Sequence, residues 1–351
     1  MTSFSIIIPC YNESHVLSRC LESIVVAIGN RSDVEILLMD NGSSDNSPEI
    51  ARSFGARVQV QAQVSIATLR NLGAEMARGD VLLFLDSDIQ VDPLWLDTLE
   101  DRFNGENPDQ LTTDAIGFVD KAPEEASWYA KTWSLRATAR RSTLREIDSL
   151  PGRNIAVTKK WFQRISGFNT ELKTGEDKDF TMRLSKAGAK VISDPSLEMI
   201  HLGYERTFYE WCRKEYWRQH SHLDLLLHQG LSLRLLRFPL LSVAHCIALY
   251  LCIAIAIIGE TNAFEMNYLE TDYLEINPIE LNYVALLLFI LTWIPSLALT
   301  LRYPYSRKNG YSILSFSLLY WLRFYIAGYS VAMAFVEKCI EVVKGKINDT
   351  Q

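Results

Sequence analysis

The chain has only six cysteines in 351 residues, and no two of them form a CxxC pair. Zinc ribbons and disulfide frameworks need regularly spaced cysteines, so both are disfavoured and a reducing compartment is predicted. No Gly-rich phosphate loop follows the first apolar run, which disfavours a nucleotidyltransferase. The opening residues MTSFSIIIPCYNES lack the basic region and long apolar run of a signal peptide, so they are interpreted as a first strand.

Basic residues are also in the minority. The chain has 35 Lys and Arg against 42 Asp and Glu, which gives a net charge of −7. This balance disfavours a general nucleic-acid binder, and no nucleic-acid partner is predicted. With 48% apolar and 22% charged residues, the chain is long enough for one large folded domain and an appended region.

Charged residues are absent from two long apolar runs, 239–258 and 281–301. As a helix, each run is about as long as a bilayer core is thick, so both are predicted to span a membrane. A third run, 311–336, carries Arg323 in its middle and is predicted either to span or to lie in the interface. Residues 203–238 mix aromatic, basic and leucine positions, which predicts an amphipathic interfacial linker; a solvated helix packed on the domain is the alternative.

Lysine and arginine are missing between the two long runs, where the chain is acidic. Basic residues occur instead on the outer sides of the runs, within 204–238 and 302–310. Because basic loops tend to stay in the cytoplasm, we predict a multi-pass protein of the cell membrane whose large N-terminal part faces the cytoplasm.

Strand and helix patterns alternate through residues 1–202. FSIIIP, VEILLMD and DVLLFLD are continuous apolar runs, and helical spacing of apolar residues follows the first of them. Buried strands separated by helices predict an α/β fold with a mostly parallel sheet and helices on both faces. Ligands bind beyond the carboxyl ends of such strands, where Tyr11, Asp40, Asp86 and Asp88 are expected to cluster.

Two carboxylates, Asp86 and Asp88, directly follow the most apolar strand. A buried carboxylate without a partner is costly, so these groups need a cation, backbone donors or solvent. A divalent cation such as Mg²⁺ or Mn²⁺ takes oxygen ligands and shares them with phosphates. Taken alone, the pair is better explained as the cap of a turn.

Four separated motifs accompany this pair, namely SIIIPCYNE, DNGSSD, RNLGAEMARGDVLLFLDSD and GRNIAVTKKWFQRISGFNTELKTGEDKDFTMRLSKAG. By their order and spacing, the chain resembles the family 2 glycosyltransferases over about residues 3–202. The resemblance implies the Rossmann-like GT-A fold, a nucleotide-sugar donor, a divalent metal and inversion at the anomeric carbon. With the apolar runs, it divides the chain into a catalytic domain at 1–202, the linker at 203–238 and a membrane region at 239–351.

The resemblance also implies roles for individual residues. Those implied to bind the donor are Pro9, Tyr11, Glu13, Asp40, Arg70, Asp86, Ser87, Gly152, Asn154 and Glu176. Asp88 is implied to bind Mg²⁺ or Mn²⁺ together with His201, although a single histidine is as often structural. Asp177 is implied to be the general base, with Glu176 as its orienting or structural partner. Acidic residues that merely complement a helix N-terminus are the structural alternative.

These observations predict a membrane-associated hexosyltransferase that moves a sugar from a UDP-type donor to a lipid-linked or growing glycan acceptor. No QxxRW motif occurs in 203–238, which favours transfer of one sugar per encounter. Trp128, Trp133 and basic residues within 115–150 are candidate acceptor contacts, with a solvated basic helix as the alternative. Two other functions stay open, a polyprenyl-phosphate glycosyl synthase and a non-catalytic membrane scaffold that binds nucleotide sugars.

Overall fold

The computed structural model describes residues 2–104, 113–140, 143–172, 174–220, 233–269, 278–301 and 313–348. The chain divides into two compact units, Met1–Arg206 and Thr207–Gln351.

The first unit alternates strands with helices. Its strands are β1 (Phe4–Cys10), β2 (Val34–Asp40), β3 (Arg57–Val60), β4 (Val81–Leu85), β5 (Ile89–Gln90), β6 (Ala115–Lys121), β7 (Arg145–Glu146), β8 (Asn154–Thr158) and β9 (Val191–His201). Its helices are α1 (Ser14–Ile28), α2 (Ser47–Ser53), α3 (Ile66–Met76), α4 (Trp95–Asn104), α5 (Trp128–Arg140), α6 (Lys159–Arg164) and α7 (Glu176–Lys186). The strands predicted from FSIIIP, VEILLMD and DVLLFLD are confirmed.

One sheet runs through this unit in the order β3-β2-β1-β4-β8-β6-β9-β5, with β7 paired to β9. The first four strands in this order are parallel, as predicted. In the second half, β8 is antiparallel to β4 and to β6, and β6 is parallel to β9. The α/β fold is therefore confirmed, and the antiparallel β8 brings its first residues to the edge where β4 and β6 end.

Helices cover both faces of the sheet because side chains of each strand alternate between them. Ile6 and Ile8 of β1 join a buried cluster with Leu17 of α1, whereas Ile7 joins a second cluster with Leu69 of α3. Burying one such side chain stabilises a fold by about 1.5–3 kcal/mol. The two clusters fix the strands, so the loops at the carboxyl ends of β1, β2 and β4 project from a rigid base.

The second unit is helical. Its helices are α8 (Phe208–His220), α9 (Leu233–Leu269), α10 (Pro278–Leu301) and α11 (Ile313–Asn348). By length and composition, three segments are able to cross a membrane, namely Leu236–Thr261, Ile279–Leu301 and Ile313–Ile340. The predicted spans at 239–258 and 281–301 lie within the first two segments, and the third contains most of the run that carries Arg323.

Arg323 has a carboxylate partner on α8. Its Nε lies 2.9 Å from the Glu215 carboxylate, and its guanidinium lies over the Phe238 ring at 4.3 Å. Two turns further along α11, the Ser330 hydroxyl donates to the Tyr216 carbonyl of α8 at 2.8 Å. Helix α8 therefore packs on α11 and neutralises a charge that would be costly against lipid.

Parts of two predicted features lie outside the described residues. They are residues 221–232 of the predicted linker, and the loops 270–277 and 302–312 that carry part of the charge asymmetry between the two sides. The orientation in the membrane therefore remains a prediction.

Candidate active site

Two loops meet beyond the ends of β1 and β2. These strands are parallel neighbours in which Cys10 is opposite Asp40. Asn12 follows β1 with a φ of 55°, and its side-chain oxygen accepts a hydrogen bond from the Ser44 amide at 2.8 Å. The Asn12 amide in turn donates to the Ser43 hydroxyl at 2.9 Å. These contacts hold the two loops side by side, and the motif resemblance did not indicate them.

The residues predicted to bind the nucleoside differ in exposure. Tyr11 is 57% exposed, so its ring is open to a ligand. Asp40 is 1% exposed, and its carboxylate accepts hydrogen bonds from the amides of Gly42 and Ser43 and from the Ser43 hydroxyl. Pro9 is buried within β1. Asp40 thus stabilises the loop after β2, whereas the exposed ring of Tyr11 is available to contact a ligand.

Asp45 joins the same two loops, because its carboxylate accepts from the amides of Ser14 and Ser47 and from the Ser47 hydroxyl. The Glu13 amide also donates to this hydroxyl. Burial alone would raise the pKa of Asp45, but these hydrogen bonds outweigh it and lower the pKa to about 2.

Asp45→Asn is expected to destabilise the protein at neutral pH by up to about 2 kcal/mol, because the folded state holds the ionised carboxylate. A lowered pKa contributes stability above the ordinary value near 4, and this contribution is lost as the pH falls from about 4 to 2. Unfolding midpoints of wild type and variant between pH 7 and pH 3 check this. The difference between the two midpoints is expected to narrow toward pH 3, and a constant difference would contradict the assignment.

Arg70 of α3 is buried and only 1% exposed. Its guanidinium contacts the Asp86 carboxylate at 2.9 Å, the Glu176 carboxylate at 2.7 Å and the Gly152 carbonyl at 3.3 Å. The Phe168 ring lies 5.4 Å from it. One side chain therefore connects α3 with the end of β4, the loop before β8 and the start of α7.

Burial and the Arg70 guanidinium act in opposite directions on the pKa of the two carboxyls that contact Arg70. Burial raises the pKa of Asp86, and the nearby Asp88 adds to this effect, whereas Arg70 lowers it. Burial likewise raises the pKa of Glu176, with a contribution from Asp177, and Arg70 again opposes the shift. The guanidinium is thus the main group that favours the ionised state of both carboxyls.

Arg70→Met is expected to lower the free energy of unfolding by about 3–5 kcal/mol, because the buried Glu176 and the partly buried Asp86 lose their cation. Arg57→Met is the matched control, since Arg57 forms an exposed ion pair with Glu35 and should cost less than about 1 kcal/mol. Denaturant titration of both variants in detergent measures the difference. Equal losses would show that the buried network contributes no more than a surface pair.

Asp177 stands at the first turn of α7, next to the loop before β8. One carboxylate oxygen accepts from the Gly152 amide at 2.7 Å, and the other accepts from the Lys178 amide at 2.7 Å. A Cβ on Gly152 would lie 3.0 Å from the Asp177 Cβ and 3.1 Å from a guanidinium nitrogen of Arg70. Glycine at this position therefore allows the backbone to approach the carboxylate and orient it.

Two other predicted donor contacts lie inside the protein. Asn154 is 3% exposed, and its side-chain oxygen accepts from the Phe118 amide at 2.6 Å. It therefore joins β8 to β6. Ser87, between the two aspartates, is also buried. A direct contact of either side chain with the donor remains a prediction.

Asp88 and His201 are brought together by a short strand. The chain crosses from β4 to the far edge of the sheet, where Ile89 of β5 is opposite His201 of β9. The Leu202 amide donates to the Asp88 carbonyl at 2.7 Å. As a result, the Asp88 carboxylate lies 3.2 Å from Nε2 of His201.

The pair of Asp88 and His201 fits a divalent cation. A carboxylate oxygen and an imidazole nitrogen are ligands that Mn²⁺ accepts, and both side chains are partly exposed. Within the described residues, no group of three or more His, Cys, Asp or Glu side chains is placed to hold a metal. Two protein ligands would thus leave positions for phosphate oxygens and water, as is usual for Mg²⁺ sites that bind nucleotides.

Gly203→Ala is expected to displace the Asp88 carboxylate, because a Cβ at this position would overlap it. We expect at least a tenfold loss of Mn²⁺-dependent nucleotide affinity, measured by calorimetry with UDP and Mn²⁺. The double variant Asp88→Ala/Gly203→Ala is the control. If the overlap is the cause, Gly203→Ala should lower the thermal midpoint less in the Asp88→Ala background than in wild type.

The chain is similar to known glycosyltransferases. The family model described as Glycosyl transferase family 2 matches residues 5–165. The glycosyltransferase AglE of Haloferax volcanii is 26% identical over 243 residues, which cover 66% of this chain and 76% of that protein. The glucosyl-dolichyl phosphate glucuronosyltransferase of the same organism is 23% identical over 236 residues, which cover 61% of this chain and 74% of that protein.

A solved structure shares the fold. The mannosyltransferase PcManGT from Pyrobaculum calidifontis, in complex with GDP-Man and Mn²⁺, matches with a TM-score of 0.55 at 15% sequence identity. The match covers 96% of this chain and 86% of that chain. It supports the GT-A fold.

Proposed function

We propose that the chain is a hexosyltransferase-type family 2 glycosyltransferase with three candidate membrane spans, and that it transfers one sugar per encounter from a UDP-type donor to a lipid-linked or growing glycan acceptor. One arrangement carries the proposal. The Asp88–His201 pair, Asp177 and the loops after β1 and β2 all lie at the edge where β1, β2 and β4 end. Transfer with inversion at the anomeric carbon, on the cytoplasmic side of the cell membrane, completes the proposal.

Donor binding is assigned to the loops after β1 and β2. The exposed ring of Tyr11 offers a face for the base, and the bonds around Asp40 and Asn12 hold the loop in shape before the ligand arrives. A preformed loop lowers the ordering cost of binding. Glu13 and Asp40 remain the proposed polar contacts to ribose and base.

Asp177 is the proposed general base. The acceptor hydroxyl transfers its proton to the carboxylate while its oxygen forms a bond to the anomeric carbon, and the bond from that carbon to the diphosphate breaks with the electron pair on the diphosphate. The Gly152 amide holds the carboxylate in orientation. Glu176 is paired to Arg70 and buried, which favours the structural role for it.

Asp88 and His201 are the proposed metal ligands. When bound there, Mn²⁺ or Mg²⁺ supplies positive charge that offsets the charge of the departing diphosphate. The mannosyltransferase with the same fold was solved with GDP-Man and Mn²⁺, which supports a divalent metal and makes GDP the alternative nucleotide. The relative named for glucosyl-dolichyl phosphate supports a lipid-linked acceptor.

A binding panel followed by a transfer assay tests the proposal. The full chain in detergent is mixed with UDP-, GDP- and dTDP-sugars plus Mn²⁺, and selective binding is expected to raise the thermal midpoint for UDP-sugars. The preferred donor is then incubated with a lipid-linked saccharide and, separately, with polyprenyl phosphate.

Transfer to the saccharide with an inverted anomeric centre, determined by NMR of the product, would support the proposal. Transfer to polyprenyl phosphate alone would favour the synthase. Binding without any transfer would favour the scaffold, and a retained anomeric configuration would contradict the mechanism.

A further inference from the structure

Arg153 lies next to Asp86 along the backbone and pairs with Asp120 through its side chain. Its carbonyl accepts a hydrogen bond from the Asp86 amide at 3.0 Å, so it lies next to the segment that carries the two aspartates. Its guanidinium contacts the Asp120 carboxylate at the end of β6 at 3.0 Å.

The strand order places Arg153 at the same edge of the sheet as Asp86 and Asp88. β8 and β6 lie between β4, which ends before Asp86, and β9, which ends at His201. The chain from Asp86 to Ile89 therefore crosses the edge formed by the start of β8 and the end of β6. Arg153 and Asp120 occupy that edge.

In this ion pair the carboxylate is buried, whereas the arginine is partly exposed to solvent. Asp120 is 3% exposed, so its carboxylate is fixed inside the protein, whereas the side chain of Arg153 is 27% exposed. A guanidinium presents five donors in one plane, which allows it to contact two anions in different directions. The buried carboxylate therefore fixes the position of a cation that solvent still reaches.

Arg70, the other arginine of the site, has no such access. Its side chain is 2% exposed and is engaged by Asp86 and Glu176. Asp86, Asp88 and Asp177 also make this edge acidic, which disfavours an anionic substrate unless a cation is provided. Arg153 provides such a cation, because it is partly exposed and lies where the Asp86–Ile89 segment crosses the edge of the sheet.

We propose that Arg153, positioned by Asp120, binds a phosphate group of the substrate and thereby helps to set which substrates are accepted. Planar guanidinium groups bind phosphate oxygens in a bidentate way. The phosphate belongs either to the diphosphate of the donor or to a phosphorylated acceptor. The inference rests on the proposed glycosyl transfer, because both sources are substrates of that reaction.

The test measures binding to the full chain in detergent with Arg153→Gln as the variant. The donor arm titrates UDP and uridine with Mn²⁺, or GDP and guanosine if wild type binds GDP more tightly. The acceptor arm titrates farnesyl phosphate and farnesol in EDTA. Arg153→Lys keeps the charge without the planar fork and serves as the conservative variant, as well as the substitute if Arg153→Gln does not fold.

We expect Arg153→Gln to weaken one phosphate ligand about tenfold, to leave its neutral counterpart unchanged, and to be partly rescued by lysine. Asp120→Asn should weaken the same ligand less. A loss for the nucleoside diphosphate assigns the phosphate to the donor, and a loss for farnesyl phosphate assigns it to the acceptor.

Equal affinities of wild type and variant for both phosphates would overturn the inference, and so would equal losses for the neutral ligands. If wild type itself bound neither nucleotide nor farnesyl phosphate, the proposed function would fail, and this inference with it.

Discussion

Asp177→Asn is expected to lower the rate of sugar transfer by about a hundred- to ten-thousandfold, the range for loss of a general base. Asparagine keeps the size of the side chain, and its carbonyl oxygen still accepts from the Gly152 amide. It has no carboxylate to take the proton of the acceptor hydroxyl. Binding of UDP with Mn²⁺ should therefore stay within about threefold of wild type, while turnover, measured by release of UDP, is lost.

Asp97→Asn is the control for this experiment, because that carboxylate is 70% exposed and lies beside Arg31, which precedes β2. It should leave turnover unchanged. Turnover of Asp177→Asn close to wild type would contradict the base assignment. A parallel loss of nucleotide binding would place Asp177 in the donor site instead.

Asp88→Asn is expected to weaken the binding of UDP in Mn²⁺ by at least about a hundredfold, because even partners of metal ligands change metal affinity by 10- to 100-fold. The protein should remain folded, since Asp88 is partly exposed and its backbone carbonyl keeps the bond from Leu202. Calorimetry of UDP binding with Mn²⁺ and with EDTA measures the metal-dependent part. His201→Ala should reduce the same part to a smaller extent.

Asp86→Asn distinguishes the role of Asp86 from that of Asp88. Because Asp86 is paired to Arg70, its loss is expected to lower the unfolding midpoint more than Asp88→Asn does, and to affect metal-dependent binding less. If Asp86→Asn abolished the metal-dependent part while Asp88→Asn preserved it, the two roles would be reversed.

The first half of the sheet could be predicted from sequence because its signals are local. β1, β2 and β4 are apolar runs whose polar residues follow at once, and parallel pairing brings those residues to one edge. The Arg70 network could not be predicted, since its partners lie 16 and 106 residues away in the chain. No local sequence pattern indicates that an arginine in a helix will be buried and paired with two carboxylates.

The position of His201 illustrates the same limit. The motif resemblance suggested it as a metal ligand, but only the pairing of β5 with β9 brings it to Asp88. A strand of two residues is too short for periodicity to reveal. Similarly, the roles of Asn154 and Asp40 inside the fold depend on hydrogen-bond partners in neighbouring loops or strands.

Hydropathy indicated two spans and left the third undecided because of Arg323. Hydropathy counts each residue separately, whereas the structure pairs this arginine with Glu215, which lies 108 residues earlier in the chain. The partner of the charge could not be read from the apolar run itself.

This pairing has a consequence for how the protein is made. The ribosome synthesises Glu215 well before Arg323, so their ion pair can form only after the last helix has been made. If the pair forms during insertion, Glu215→Gln should slow the integration of α11 into microsomal membranes, and Glu210→Gln, on the same helix, should not. Helix α8, which is synthesised first, would then assist the membrane insertion of the final helix.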